Sequence, residues 1–455
     1  MKRLFLLALL ATFTVSLSAQ EENISDIFVQ KSSADALNED GSFQKYRRSS
    51  LYSVLIAHTE FKYGDIIQTT FYSIPTNEKF NNHDLEVKSI ASSARKMKKK
   101  GKEKARINGE DIERFLNEYD VARKMVAKWF NRNPKTGGFN LDLMLERGYY
   151  DAQQVDIEQA RQTLRNVQSL GDAGAELIGK TFLLVNDITF VDKGERSRTI
   201  GGIFRALGDI VGTITENGAA RDLGNIAGEV AEEVDGFRVN ITSYLYRLDW
   251  NEEVEATFWQ ELWYDENTFD EARRAAFDST DIFKMVYVGE TTTSAANLAS
   301  RSFSSRSKEE QMLTVCTRAI DKSIVELQRE YDEFKVSVPI GAINAKERTV
   351  QVPIGLKEGI NERSQFDVLL KVEGADGRFT YEKVGRIQPI KGMIWDNRFG
   401  ALDEAQIRAE EGLKEDNPDE SGDATLTATT FRILDGANRI MPGCLVREVT
   451  IKRKK

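Results

Sequence analysis

The stretch from Ser307 to Phe334 constrains the fold more than any other part of the chain, because its pattern admits one kind of element. Leu313, Cys316, Ile320, Ile324, Leu327, Tyr331 and Phe334 recur at steps of three or four, which winds them into one stripe of an α-helix. Ser307 and Glu310 have the S-x-x-E spacing of a capping box, in which each side chain satisfies an amide left open at the helix start. Lys322 with Glu326, and Arg329 with Glu333, place opposite charges one turn apart on what this pattern makes the solvent side. At a rise of ~1.5 Å per residue the helix is roughly 40 Å long, enough to cross a domain. The sequence before it mixes helix and strand signals, and the sequence after it is almost all strand. It is therefore expected to connect two regions of different class.

The first twenty residues, MKRLFLLALLATFTVSLSAQ, have a basic start, an apolar run from Leu4 to Leu17 and small residues before a polar sequence. That is the layout of a secretory signal peptide cleaved after Ala19 or Gln20, and the apolar run is short for a bilayer span. Removal of Lys2 and Arg3 takes the formal charge from −9 to −11. Such an acidic surface disfavours general binding to nucleic acid and anionic lipid. At 455 residues, 40% of them hydrophobic, the chain has material for two or three globular domains. Its two cysteines, Cys316 and Cys444, are a candidate disulfide that would tie the long helix to the C-terminal end. The alternative is a buried free thiol at Cys316, which lies within the apolar stripe.

Residues 21–49 read as a polar leader. Leu51 to His58 is rich in β-formers and predicts a strand, followed by a short helix that ends before Pro75. In Arg95 to Arg106, eight of twelve residues are basic; a solvated loop is expected, with an anion-binding loop as the alternative. Glu110 to Asn131 predicts an amphipathic helix, 141–170 further helical pieces, and Leu177 to Val191 a buried strand. Thr199 to Gly236 is crowded with Gly and Ala and repeats a G-x-x-x-G spacing, which predicts two closely packed helices. A membrane-surface element is the alternative there, and the source of a possible peripheral membrane contact. Phe237 to Trp250 and Val254 to Tyr264 read as a hairpin. Alternation on its second strand would put Trp259, Glu261, Trp263 and Asp265 on one face, as a glycan-binding surface or a glycoside-hydrolysing carboxylate pair requires. Packing of the tryptophans into the core is the competing expectation. Thr268 and Glu271 predict a helix start, and Ile282 to Val288 a strand, with Thr291 to Ser305 as a Ser/Thr-rich connection.

Beyond the long helix, VPIG occurs at Val338 to Gly341 and again at Val352 to Gly355. Phe366 to Val372 and Arg378 to Val384 flank an Asp376-Gly377 turn signal. Leu402 to Asp423 is acidic but lacks the ordered ligand spacing of a calcium loop, so a solvated loop is expected. Thr425 to Leu434 and Cys444 to Ile451 complete a set of short strands. The stretches GLKEGINERSQFDVLL, VGRIQPIKGMIWDNRF and PGCLVREV, with LERGYYDA and LIGKTFLLVNDI upstream, resemble an uncharacterised family of exported Gram-negative bacterial proteins. The resemblance implies export and a two-region organisation, and brings no catalytic residue with it.

No G-x-S-x-G, H-E-x-x-H or G-x-G-x-x-G motif is present, and His58 and His83 are the only histidines. The expected fold class is α+β: a mixed-sheet N-terminal domain over 50–306, a connecting helix over 307–334, and a small C-terminal β-barrel or sandwich module over 335–455. The expected function is that of a non-enzymatic cell-envelope protein, periplasmic, outer-membrane associated or extracellular. It would bind an envelope protein or polymer, without nucleic acid, cofactor or metal. The alternative is a glycan-binding protein or hydrolase acting through Trp259, Glu261, Trp263 and Asp265.

Overall fold

The computed structural model describes residues 49–58, 61–91, 109–151, 177–191, 237–373, 379–413, 422–441 and 443–449. Strand β1 (Ser49–Ala57) leads into helix α1 (Gly64–Ser73) and short strands β2 (Phe80–Asn82) and β3 (Ser89–Ala91). Helices α2 (Gly109–Glu118), α3 (Val121–Trp129) and α4 (Asp142–Asp151) precede β4 (Thr181–Phe190). Then come β5 (Arg238–Leu248), α5 (Glu252–Thr257), α6 (Glu271–Ser279) and β6 (Met285–Ala296). The six strands form one mixed sheet in the order β2-β1-β4-β5-β6, with β3 also paired to β1. β1 runs parallel to β2, β3 and β4, whereas β4, β5 and β6 are successively antiparallel.

Both faces of this sheet are buried, which explains the near-continuous apolar runs in β1 and β4. Tyr52, Val54, Ile56, Leu183 and Val185 point to a core that also holds Leu116, Met125, Trp129 and Phe258. Leu51, Leu55, Phe182, Leu184 and Ile188 point the other way, to a second core under the long helix. The expected helix over 110–131 is divided at Asp120, whose left-handed φ of 53° turns the chain between α2 and α3. β6 runs on through Thr291–Ala296, expected as a connection, because threonine suits a pleated surface. The expected strand over Val254 to Tyr264 is instead helical: Asn251 caps α5 by accepting from the amides of Glu253 and Val254, and a π-turn over Phe258–Leu262 extends it.

After α7 (Arg301–Ser304), the long helix α8 (Lys308–Glu330) begins at the expected capping box. Ser307 Oγ accepts from the Glu310 amide at 3.1 Å, and the Glu310 carboxylate accepts from the Ser307 amide at 3.2 Å. Met312, Cys316, Ala319, Ile320 and Leu327 pack on the sheet. Arg318, Asp321, Val325 and Arg329 recur at steps of three or four and so lie along the opposite side of the helix. That side faces the C-terminal region. Arg318 pairs with Glu404 at 2.5 Å and donates to the Phe399 carbonyl at 3.0 Å, while Arg329 reaches Glu448 at 3.2 Å and the Gly359 carbonyl at 2.8 Å. The expected Arg329–Glu333 pair on a solvent face is thus replaced: Arg329 pairs with Glu326 and Glu448, and Glu333 with Arg247.

The C-terminal sheet comprises β7 (Val338–Pro339), β8 (Ala342–Asn344), β9 (Thr349–Val352), β10 (Phe366–Glu373), β11 (Phe379–Pro389), β12 (Thr429–Asp435) and β13 (Leu445–Glu448). Helix α9 (Ala401–Glu411) inserts before β12, where a solvated loop was expected for Leu402 to Asp423. The strands are antiparallel in the order β7-β13-β10-β11-β12-β9-β8 and curl into a half-barrel around Val350, Val368, Ile387, Phe431 and Val446. Its two edge strands are consecutive in sequence. Between them the Ile340 amide donates to Cys444 and the Gly341 amide to Gln351, so one bent segment bridges both edges.

A polar seam runs through the core beneath α8. Asn186 donates to Ser53 Oγ at 2.9 Å and accepts from Ser243 Oγ at 2.8 Å, and Thr293 and Ser323 share a hydroxyl contact at 3.0 Å. Replacing Asn186 with Ala is expected to cost about 2–4 kcal/mol, since it leaves the buried Ser243 hydroxyl without its acceptor as well as a cavity. Equilibrium urea unfolding checks this, and a loss below about 0.5 kcal/mol contradicts it.

Candidate functional site

The free edge of β1 is shared by β2 and β3, and they do not meet. Leu51 pairs with Asn82 and Leu55 with Ser89, so four steps along β1 face seven along its neighbour. The excess leaves the edge as a wide bulge over 83–88. Glu86 takes a left-handed φ of 71°, its amide bonds Asp84 Oδ1 at 2.7 Å, and the Tyr52 hydroxyl donates to the Val87 carbonyl from the other face. Opposite the bulge, Ser53 is the only position of β1 that is not buried.

Backbone parity shows what is open there. The Ser50 amide donates to Lys180 on the β4 side, whereas the Leu51 carbonyl accepts from His83 and the Leu55 amide donates to Lys88 on the free side. Alternation puts the N–H and C=O of Ser53 on that free side, between the two flanking bonds. Among the described residues, neither group has a backbone partner on that edge.

Above the gap lies a cavity of about 270 Å³, walled by Phe71 and Ile74 from the end of α1 and by Ile320 and Ile324 from α8. Asp84 and Lys88 stand on its bulge side, with Lys88 Nζ donating to the Tyr72 carbonyl at 3.1 Å. A second cavity of about 330 Å³ adjoins it through residues 74–77 and Ile320, and ends at Asp321, Lys357, Asn397 and Phe399. The two form one groove from the sheet edge to the half-barrel.

The far end of the groove is a knot of charges drawn from three parts of the chain. Asn77 donates to Asp321 Oδ1 at 2.9 Å, and Lys357 stands 3.9 Å from Asp321 and 2.9 Å from Glu78. Lys79 pairs with Glu358 at 2.5 Å, and Glu358 accepts from Asn397 at 2.8 Å. Burial outweighs the nearby Lys357 and pushes the Asp321 carboxyl up to about 6. Lys357 is held above its ordinary range: burial opposes its charge, but Asp321 and Glu78 more than offset that. Glu404 goes the other way from Asp321, lowered because Arg318 and its neighbouring arginines overcome its burial.

The four residues of the alternative glycan reading do not share one face, and the tryptophans pack against the core, as the competing expectation had it. On the helix and its π-turn, Trp259 and Trp263 fall on one side with centroids 4.9 Å apart, partly buried against Phe130 and Phe258. Glu261, two residues from each, projects from the opposite side into solvent. Asp265 lies beyond the turn and accepts from the Asn267 amide at 2.8 Å. The same-face arrangement depended on a strand that does not form.

Cys316 and Cys444 are free thiols in separate cores, one beneath α8 and one in the half-barrel, so the candidate disulfide is absent. Burial pushes Cys316 up to about 12. His83 is fully buried. One ring nitrogen contacts the Met125 carbonyl at 3.0 Å and the other contacts Arg147 at 2.9 Å, so its neutral form donates to the former and accepts from the latter. Burial and then Arg147 lower it to about 3, which makes it a neutral structural link. His58 contacts Asp187 at 2.7 Å at the end of β1 and stacks on Phe61.

The candidate signal peptide, residues 21–48 of the expected polar leader, the basic run 95–106, the Gly/Ala segment 199–236 and the acidic run 414–421 lie outside the described residues. Among those described, no group of three His, Cys, Asp or Glu is placed to hold a metal ion, and no helix is long and apolar enough to cross a membrane. In comparisons with known proteins, no family model matches the chain and no curated protein is significantly similar to it.

A raised carboxyl is a folding cost that grows as pH climbs from its unfolded value near 4 through about 6, because only the protonated form is cheap to bury. Asp321→Asn is therefore expected to stabilise the protein by about 1–3 kcal/mol at pH 7.5 and by little at pH 4. Urea unfolding at the two pH values checks this; a destabilised variant at pH 7.5 contradicts it.

Proposed function

We propose that the chain is an exported, non-enzymatic binding component of the cell envelope, and that its binding site is the groove between β1, α8 and the half-barrel. The carrying observation is the position of that groove: residues 74–77 and Ile320 line both cavities, at the place where the sheet, the long helix and the C-terminal module meet. An occupant there touches both halves of the molecule. The charged side chains at its far end are engaged in links between those halves, which suits a recognition surface of fixed shape. Export and envelope residence rest on the N-terminal leader pattern and on the resemblance of the C-terminal stretches to exported Gram-negative proteins.

A glycan-binding role has one observation in its favour, the partly exposed pair Trp259 and Trp263. Hydrolysis by Glu261 and Asp265 is not part of this reading, because the segment expected as a strand is helical. The two binding readings separate by mutation. Thr76 lines both cavities, so Thr76→Trp fills the groove at its middle.

Pull-down of the tagged protein from crosslinked cells is expected to recover one stoichiometric envelope partner with the natural chain. Thr76→Trp should reduce that recovery at least about tenfold at unchanged melting temperature, the equivalent of about 1.4 kcal/mol of binding. Undiminished recovery by Thr76→Trp, or retention on isolated glycan that is lost on changing Trp263 to Ala, contradicts the groove reading.

A further inference from the structure

We propose that the groove binds a short peptide by one extended residue, which exchanges two hydrogen bonds with the backbone of Ser53 and lays an apolar side chain between Phe71, Ile74, Ile320 and Ile324. This names the ligand class of the site proposed above and rests on that reading. The argument begins with the open edge. A strand residue directs its N–H and C=O to the same side, and in an antiparallel hydrogen-bonded pair two residues exchange both bonds. Ser53 offers that pair of groups at a gap where β2 and β3 leave off. An extended peptide residue presents the matching acceptor and donor at the matching spacing.

The same pairing fixes where the ligand's side chain goes. Directly opposite residues of such a pair project their side chains to the same face of the sheet. Ser53 projects toward α8, since its neighbours in parity, Leu51 and Leu55, lie in the core beneath that helix. The ligand side chain therefore arrives on the face where the cavity wall is apolar. The two flanking strands limit the match. Asn82 ends β2 on one side and Ser89 begins β3 on the other, so the edge takes one residue in register and no longer strand. The cavity volume of about 270 Å³ lies below the roughly 300–1,000 Å³ of sites for drug-sized ligands, which suits a single residue rather than a longer peptide.

The probe is N-acetyl-leucine methylamide, a single residue with both flanking amides, titrated into the isotopically labelled full chain while the Ser53 amide resonance is followed. The Ser53 signal is expected to shift saturably. The analogue methylated on the leucine nitrogen should bind about tenfold more weakly, because it cannot donate to the Ser53 carbonyl. Ile74→Trp, which occupies the apolar wall, should abolish the shift. An unmoved Ser53 amide, or equal affinity for the two compounds, overturns the proposal. Should that happen while Thr76→Trp still eliminates the envelope partner, the groove stands as the binding site and the peptide ligand falls.

Discussion

The structure depends on a helix that is buried on two opposite sides. The side of α8 carrying Met312, Cys316, Ala319 and Leu327 completes the core of the N-terminal sheet. The side carrying Arg318, Asp321 and Arg329 meets the C-terminal module through ion pairs and through bonds to the carbonyls of Phe399 and Gly359. The two interfaces differ in kind. The first is apolar and gains mainly from area removed from water. The second is polar: the buried Glu404 depends on Arg318 and its loss would strand that carboxylate, whereas Asp321 is ionised there only at a cost. Such an interface contributes less stability than specificity of docking: it fixes which surfaces meet and in what register.

The groove follows from that arrangement. Its floor exists because the bulge over 83–88 leaves β1 unpaired for one residue, and its walls exist because α1 and α8 cross the sheet edge side by side. Its far end exists only where the half-barrel brings Lys357 and Asn397 against Asp321. Asp321 carries the cost of this geometry, a carboxyl raised by burial at the point where three parts of the chain converge.

Much of this fold was legible in the sequence, and the failures have local causes. The long helix was readable because periodicity and capping box agree, and β1, β4 and the β10–β11 hairpin because their runs are β-rich. Its second buried side was not, because Arg318, Asp321 and Arg329 are residues whose pattern is that of a solvated face. Trp259 and Trp263 misled because they stand four positions apart, a spacing that satisfies both a strand's alternation and a helix turn. The deciding signal was Asn251 followed by two glutamates, a helix cap with acidic first-turn residues. The groove itself could not be read, since Ser53, Thr76, Asp321 and Lys357 come together only after strand register and module docking are set.

The central claim is that α8 makes the two regions one cooperative unit, and native-state hydrogen exchange tests it most directly. Amides of β5 report the N-terminal sheet and those of β11 the half-barrel. If α8 couples them, the slowest amides of both strands exchange through one common opening and lose protection together when Arg318 is changed to Ala. Exchange of the β11 amides through a separate, easier opening that Arg318→Ala leaves unchanged would show the half-barrel to be an independent domain, and would contradict the account.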